Sequence, residues 1–171
     1  MKDTQRGAQG TLIGHVAWAN PVWQGMQAPC MAVFDGPQSC VSPSFYLSKA
    51  CDGKDVPTWN YAVVHAHGHA PAVHEPAAVL DIITCLSNHF EQPFERPWQV
   101  SDGPALCIER MLGAIVGIEI AVTHWAAKFK TKQYQSAENR AGVAAGLQAQ
   151  TDMPPEQAMA QLVRRLPLQN A

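Results

Sequence analysis

Three short stretches of this sequence concentrate side chains able to do chemistry. The densest runs from Val56 to His69. On an extended chain side chains alternate, so Trp59, Tyr61, Val63, His65 and His67 share one face while Asn60, Ala62, Val64 and Ala66 share the other. Imidazoles and aromatic rings on the first face suit stacking or metal ligation. Small residues on the second leave room for close packing or a flat ligand. His65 and His67 can present two nitrogens from one strand, with His69, His74 or Glu75 to complete a metal sphere. Gly68 and Pro71 bend the chain there, and no ligand pattern recurs elsewhere, so histidines hydrogen-bonded across a barrel or a subunit interface are the plainer reading.

The second stretch is Val41 to Lys49. Hydroxyls at Ser42, Ser44 and Ser48 beside Lys49, on a bend after a strand, can receive a phosphate through several neutral donors and one point charge. The same residue types are ordinary in structural turns. The third stretch, Lys128-Phe129-Lys130-Thr131-Lys132, suits phosphate or nucleic acid, or is simply a solvated strand end. Arg164 and Arg165 fall near a helix C-terminus, where cations complement the macrodipole. No GxSxG, GxGxxG or P-loop pattern occurs, which removes nucleophile-elbow hydrolases, Rossmann dehydrogenases and P-loop NTPases at motif level.

The frame that must position these residues is modest in size. At 171 residues the chain is one domain, and 47% apolar content lets it bury a real core. A formal charge of -2 supplies no overall field to draw it onto nucleic acid or an anionic membrane. No run of about 18 apolar residues exists and the first residues are polar, so the chain reads as cytoplasmic, with no membrane partner. Five cysteines without a CxxC suggest buried, reduced thiols rather than a zinc knuckle or disulfide framework.

Up to about residue 75 the pattern is β. Strands are expected at Leu12–Trp18, at Met31–Phe34, closed by a turn at Asp35-Gly36-Pro37, at Ser39–Ser42, and at Thr58–His67, bracketed by Pro57 and Gly68. Val79, Ile82, Ile83, Leu86 and Phe90 then recur at helical spacing, predicting a helix over 77–90 with Pro76 in its first turn. Ser101 or Asp102 is the expected N-cap of a second helix containing Leu106, Ile108, Met111 and Leu112. Residues 114–130 return to β, and helices over 136–148, after Ser136, and 155–166, after Asp152, close the chain. This order implies an α+β domain with a mainly antiparallel sheet.

Taken together the clusters resemble the PaiB family, FMN-binding split-barrel proteins known as negative transcriptional regulators of protease production and sporulation. The resemblance rests on an ordered series: Gly14-His15-Val16-Ala17 with Ala19-Asn20-Pro21, Phe34-Asp35-Gly36-Pro37, Val41-Ser42-Pro43-Ser44-Phe45-Tyr46 with Lys49, and Val56-Pro57-Thr58-Trp59-Asn60-Tyr61 with Val64-His65 and Gly68. It continues through Val100-Ser101-Asp102, Met111-Leu112, Ala114 to Ile120, and Arg140-Ala141-Gly142-Val143 with Gly146-Leu147, covering about residues 12–148.

The resemblance implies one α+β split-barrel domain over 1–171, with flanking and C-terminal helices. Residues 12–130 are the barrel and its inserted helices, and 131–171 a helical C-terminal extension. It implies a homodimer with FMN at the subunit interface. Ser42, Ser44 and Lys49 become candidates for the phosphate, Thr58, Trp59 and Asn60 for the isoalloxazine or ribityl chain, and Lys130 for a retained basic role. A dianionic phosphate wants hydroxyls and a lysine, and a flat tricyclic ring wants an apolar wall with a few polar partners.

Two departures from the family pattern stand out. The chain starts just before the Gly14-His15 segment, where family members carry a further N-terminal helix and strands, and a barrel lacking strands exposes sheet edges. The usual Lys-x-Ser-Gln-Asn after the late strand is here Lys130-Thr131-Lys132-Gln133-Tyr134. The leading expectation is a flavin- or ligand-sensing regulator without turnover, with DNA as a partner implied by the family and Lys128 to Lys132 as the basic surface. The alternatives are a flavin oxidoreductase using NAD(P)H, a metal protein built on His65, His67 and His69, and a shortened form that no longer binds FMN.

Overall fold

The computed structural model describes residues 7–26, 28–49, 53, 55–150 and 154–166. Among these, the elements in chain order are β1 (Thr11–Ala17), β2 (Pro29–Val41), β3 (Thr58–His69), β4 (Ala72–Val73), α1 (Pro76–Glu91), α2 (Ala105–Leu112), β5 (Ile115–Lys130), α3 (Ala137–Gln148) and α4 (Pro154–Arg165). Short 3-10 helices occupy Pro21–Gly25, Pro43–Phe45 and Val100–Asp102. The strands make one sheet in the order β1-β5-β3-β2, with β4 also paired to β5. β1 runs antiparallel to β5, Thr11 opposite Ala121 and Ala17 opposite Ile115, and β4 pairs antiparallel to it with Ala72 opposite Ile118. The fold class is α+β with an antiparallel sheet and helices beside and after it, as the sequence implies.

The chain divides into two compact units, Met1–Ala32 with Ala66–Trp125, and Val33–His65 with Ala126–Ala171. In the first, α1 packs on β1 and buries Val79 and Ile82 on one face. Its N-terminus is capped by the Glu75 carboxylate, which accepts from the Ala78 amide at 2.7 Å, and Pro76 occupies the first turn, where a missing amide costs nothing. In the second, Val41 and Tyr46 join Val143, Ala144, Leu147, Met159, Ala160 and Val163 in a single apolar cluster, so α3 and α4 are held to the end of β2 by their buried stripes. Ser136 caps α3, its Oγ accepting from the Asn139 amide at 3.2 Å.

Several sequence expectations need correction. The two strands foreseen on either side of Asp35-Gly36-Pro37 are one strand, β2. Cys30 and Ala32 are the more covered residues at its start, whereas Pro37, Ser39 and Val41 are at its end, so the inward parity shifts by one residue between them. The turn-forming residues are thus carried inside the strand without ending it. Gly68 does not close β3 but lies inside it: a Cβ there would sit 2.4 Å from the Ala121 carbonyl oxygen, so only glycine admits β5 so close.

Ser101 and Asp102 do not cap α2. They lie in the preceding 3-10 turn, where the Asp102 carboxylate accepts from the Gln99 amide at 2.9 Å, and Pro104 stands at the helix start. The expected cap at Asp152 lies outside the described residues.

Candidate functional site

All seven residues singled out for cofactor binding, Ser42, Ser44, Lys49, Thr58, Trp59, Asn60 and Lys130, fall in the second unit. The segment from Ser42 to Lys49 is seated on α3. Ser42 Oγ accepts from the Ser44 amide at 3.2 Å and lies 2.7 Å from Ser44 Oγ, which sets two hydroxyls side by side on the short 3-10 turn. The Phe45 and Tyr46 amides close back on the Ser42 and Pro43 carbonyls, each at 3.1 Å. Two glycines let the segment approach the helix. A Cβ on Gly142 would stand 2.2 Å from the Phe45 carbonyl oxygen, and one on Gly146 would stand 2.3 Å from the Phe45 ring.

The far end of the segment is tied down by Asn139, which is buried. Its Oδ1 accepts from the Ser48 amide at 3.1 Å, and its Nδ2 donates to Ser48 Oγ and to Gln135 Oε1, both at 2.9 Å. Ser48 Oγ in turn donates to Asp55 at 3.4 Å. Buried amide groups satisfied in this way hold a loop in a single geometry. Lys49 is exposed at the end of the segment.

On β3 the side chains alternate as predicted, and this separates two of the candidates. Trp59 is 51% exposed, with Nε1 donating to Gln38 Oε1 at 3.2 Å, whereas Asn60 is 0% exposed on the opposite face. As side chains the two cannot meet one ligand surface. Both polar atoms of Asn60 are buried without a hydrogen-bond partner among the described residues, as are the hydroxyls of Ser39, Tyr46 and Thr131. Thr58 Oγ1 donates to the Val56 carbonyl at 3.2 Å.

The basic stretch after β5 is not the uniformly solvated run its composition suggests. Lys128 is exposed and Lys130 half-buried, but Lys132 is only 6% exposed and turned inward, its Nζ 5.3 Å from the centroid of the Tyr46 ring. The turn is braced by Gln133, whose Oε1 accepts from the Thr131 amide at 3.0 Å while its Nε2 donates to the Phe129 carbonyl at 2.8 Å. Lys132 has φ 63°, the left-handed region, which costs a non-glycine residue about 1–3 kcal/mol. Burial, and then repulsion by Lys130, hold its ammonium below the usual lysine range, and Asp55 opposes this more weakly. Burial, followed by the charges of Asp55 and Tyr134, pushes the Tyr46 hydroxyl up to about 12.

Sequence reasoning assigned no site role to Asn139, Tyr46, Gly142 or Gly146, and it read Lys132 only as one member of the basic run Lys128 to Lys132. The one local signal was the replacement of Lys-x-Ser-Gln-Asn by Lys130-Thr131-Lys132-Gln133-Tyr134, which puts a lysine where a serine is usual.

The metal reading is not supported. Among the described residues, no three His, Cys, Asp or Glu side chains are placed to hold a metal ion. His67 lies against His124 with ring centroids 5.5 Å apart, His74 packs on Trp18 and Trp23, and Glu75 is used as a helix cap. The first unit has a separate cavity of about 1110 Å³ between α1 and α2, lined by residues such as Leu80, Thr84, Ile108 and Glu109 and by none of the predicted site residues. Among the described residues no helix is long and apolar enough to cross a membrane.

Comparison with known proteins gives four results. The sequence profile of a family described as "Putative FMN-binding domain" matches residues 1–124. An uncharacterized protein of Aspergillus fumigatus is 32% identical over 81% of this chain and 66% of its own length. The Protease synthase and sporulation protein PAI 2 of Bacillus subtilis is 29% identical over 89% of this chain and 71% of its own. This chain thus spans about two thirds of the length of these relatives. Among solved structures, the flavocytochrome Anf3 of Azotobacter vinelandii superposes with a TM-score of 0.46 at 11% identity, covering 77% of this chain and 56% of that one.

Proposed function

We propose, from the premise that the chain belongs to the FMN-binding domain family, whose profile covers residues 1–124, that it binds FMN through its second unit and acts as a flavin-sensing regulator. The observation that carries the flavin half is the Ser42–Lys49 segment. Two hydroxyls 2.7 Å apart, held by a helix that lacks side chains at Gly142 and Gly146, sit in the same unit as Lys49, Lys130 and Lys132.

These residues fit the group. Hydroxyls and ammonium groups suit a phosphate monoester, and the exposed Trp59 ring on β3 suits the face of a tricyclic heterocycle. Bound there, FMN would supply one- or two-electron redox chemistry or a light- and redox-sensitive ligand, while the chain's own residues fix the phosphate and shield the ring. Asn60 enters this reading only as a buried strand residue behind Trp59, since its amide faces the other way.

The regulatory half of the proposal is supported by the name of the Bacillus subtilis relative, which ties that protein to protease synthesis and sporulation. A homodimer belongs to the same proposal. β2 is an edge strand of the sheet and carries exposed Met31, Val33 and Phe34, a combination that invites cover by a second copy.

The deciding experiment is a visible absorption spectrum of the purified chain before and after FMN addition and desalting. Retention of about one flavin per chain supports the reading. A folded chain, by circular dichroism, that retains none and shows no saturable FMN binding in solution overturns it.

A further inference from the structure

We propose that Lys132 is an anion-binding residue which, with Lys130, takes a phosphate monoester dianion at the turn after β5. The proposal rests on the flavin reading for what carries that phosphate, but not for the anion itself.

Lys132 is out of place by every structural measure. It is the one non-glycine residue with positive φ among the described residues, it is almost wholly covered, and its ammonium is pressed over the face of Tyr46. Among the described residues the charge with the larger effect is another lysine, Lys130, and the carboxylate of Asp55 has the weaker influence. The hydroxyls of two nine-tenths-buried neighbours, Tyr46 and Thr131, have no hydrogen-bond partner among the described residues.

Packing on the Tyr46 ring does not by itself call for a charge at this position. A methionine of similar length would pack its chain on Tyr46 without desolvating a charge or repelling Lys130. Yet the turn is not loose, because Gln133 bridges it on both sides and so holds the lysine in its costly conformation. Strain, desolvation and like-charge repulsion that converge on one braced side chain mark a functional position. The last two are relieved together by a dianion, which pairs with both ammonium groups and gives the unpartnered hydroxyls of this buried turn an acceptor.

The test compares the full chain with Lys132→Met, which keeps the packing, and Lys132→Arg, which keeps the charge. FMN and riboflavin differ only in the phosphate, so their affinity ratio reads the anion site. The expected result is a preference for FMN that falls by about tenfold or more in Lys132→Met, with riboflavin affinity unchanged, and is largely kept in Lys132→Arg.

A second arm uses inorganic phosphate alone and reads the thermal midpoint at constant ionic strength. Phosphate is expected to raise it in the wild type and in Lys132→Arg, but not in Lys132→Met. A Lys132→Met chain that discriminates FMN from riboflavin as well as the wild type does, or gains equally from phosphate, overturns the proposal. A wild type that binds riboflavin as tightly as FMN overturns the anion site and leaves the flavin reading standing. A wild type stabilised by phosphate through Lys132 but indifferent to both flavins does the reverse.

Discussion

Replacing Gly142 by alanine tests whether the Ser42–Lys49 segment truly rests on α3. In an unhindered helix interior the change stabilises by about 0.5–1 kcal/mol, because glycine loses more backbone freedom on folding. Here the new Cβ would stand 2.2 Å from the Phe45 carbonyl oxygen, which belongs to backbone and cannot swing away as a side-chain tip would. The segment must retreat by about 1 Å to restore ordinary contact. Overpacking of that kind costs about 1–3 kcal/mol, so the net effect expected is a loss of roughly 1–2 kcal/mol. In a chain of this size that lowers the thermal midpoint by about 2–8 °C.

The assay is urea denaturation followed by far-ultraviolet circular dichroism, with Ala145→Gly on the exposed side of the same helix as the control for propensity alone. Because Ser42 and Ser44 ride on the displaced segment, FMN affinity should fall with stability in Gly142→Ala but not in Ala145→Gly. A Gly142→Ala chain that is more stable than the wild type would refute the close seating, and with it the argument that the hydroxyl pair is held in place by α3.

Other perturbations reach different parts of the same unit. Ser136→Ala removes the cap of α3 and should cost about 1 kcal/mol in urea unfolding. Arg140 donates to the Val163 and Leu166 carbonyls at the end of α4, so Arg140→Met should destabilise by about 2–3 kcal/mol and increase amide exchange in that helix. The Tyr46 hydroxyl titrates higher in the folded chain than in the unfolded one. Its contribution to stability is therefore complete below pH 10.0 and lost as pH rises from there through about 12, and Tyr46→Phe should flatten that alkaline limb in a pH series of melts. For the regulator reading, anaerobic NAD(P)H should leave the spectrum of the FMN-loaded protein unbleached, and rapid bleaching would favour the oxidoreductase alternative.

Much of this molecule is local enough to be written in the sequence. The Trp59, Tyr61, Val63 alternation fixed β3 and its two faces, and the spacing of Val79, Ile82 and Leu86 with Pro76 ahead of it fixed α1, because side-chain period follows directly from backbone geometry. Ser136 was legible as a cap for the same reason, since its partner is three residues away. The ordered motifs from Gly14 to Leu147 were enough to suggest the family, and with it the flavin.

What the sequence could not decide depends on neighbours distant along the chain. Asp35-Gly36-Pro37 carries every local mark of a turn, and only pairing with the adjacent strand keeps it within β2. Gly68 reads as a strand end until β5 is laid against it. Lys132 looks like one more solvated charge in a basic run until the turn after β5 folds it over Tyr46, 86 positions earlier in the numbering of the chain. Backbone propensity and periodicity act over a few residues, so they set the elements. Burial, close approach and the electrostatics of a shared site arise only when remote segments meet, so they are set by tertiary structure.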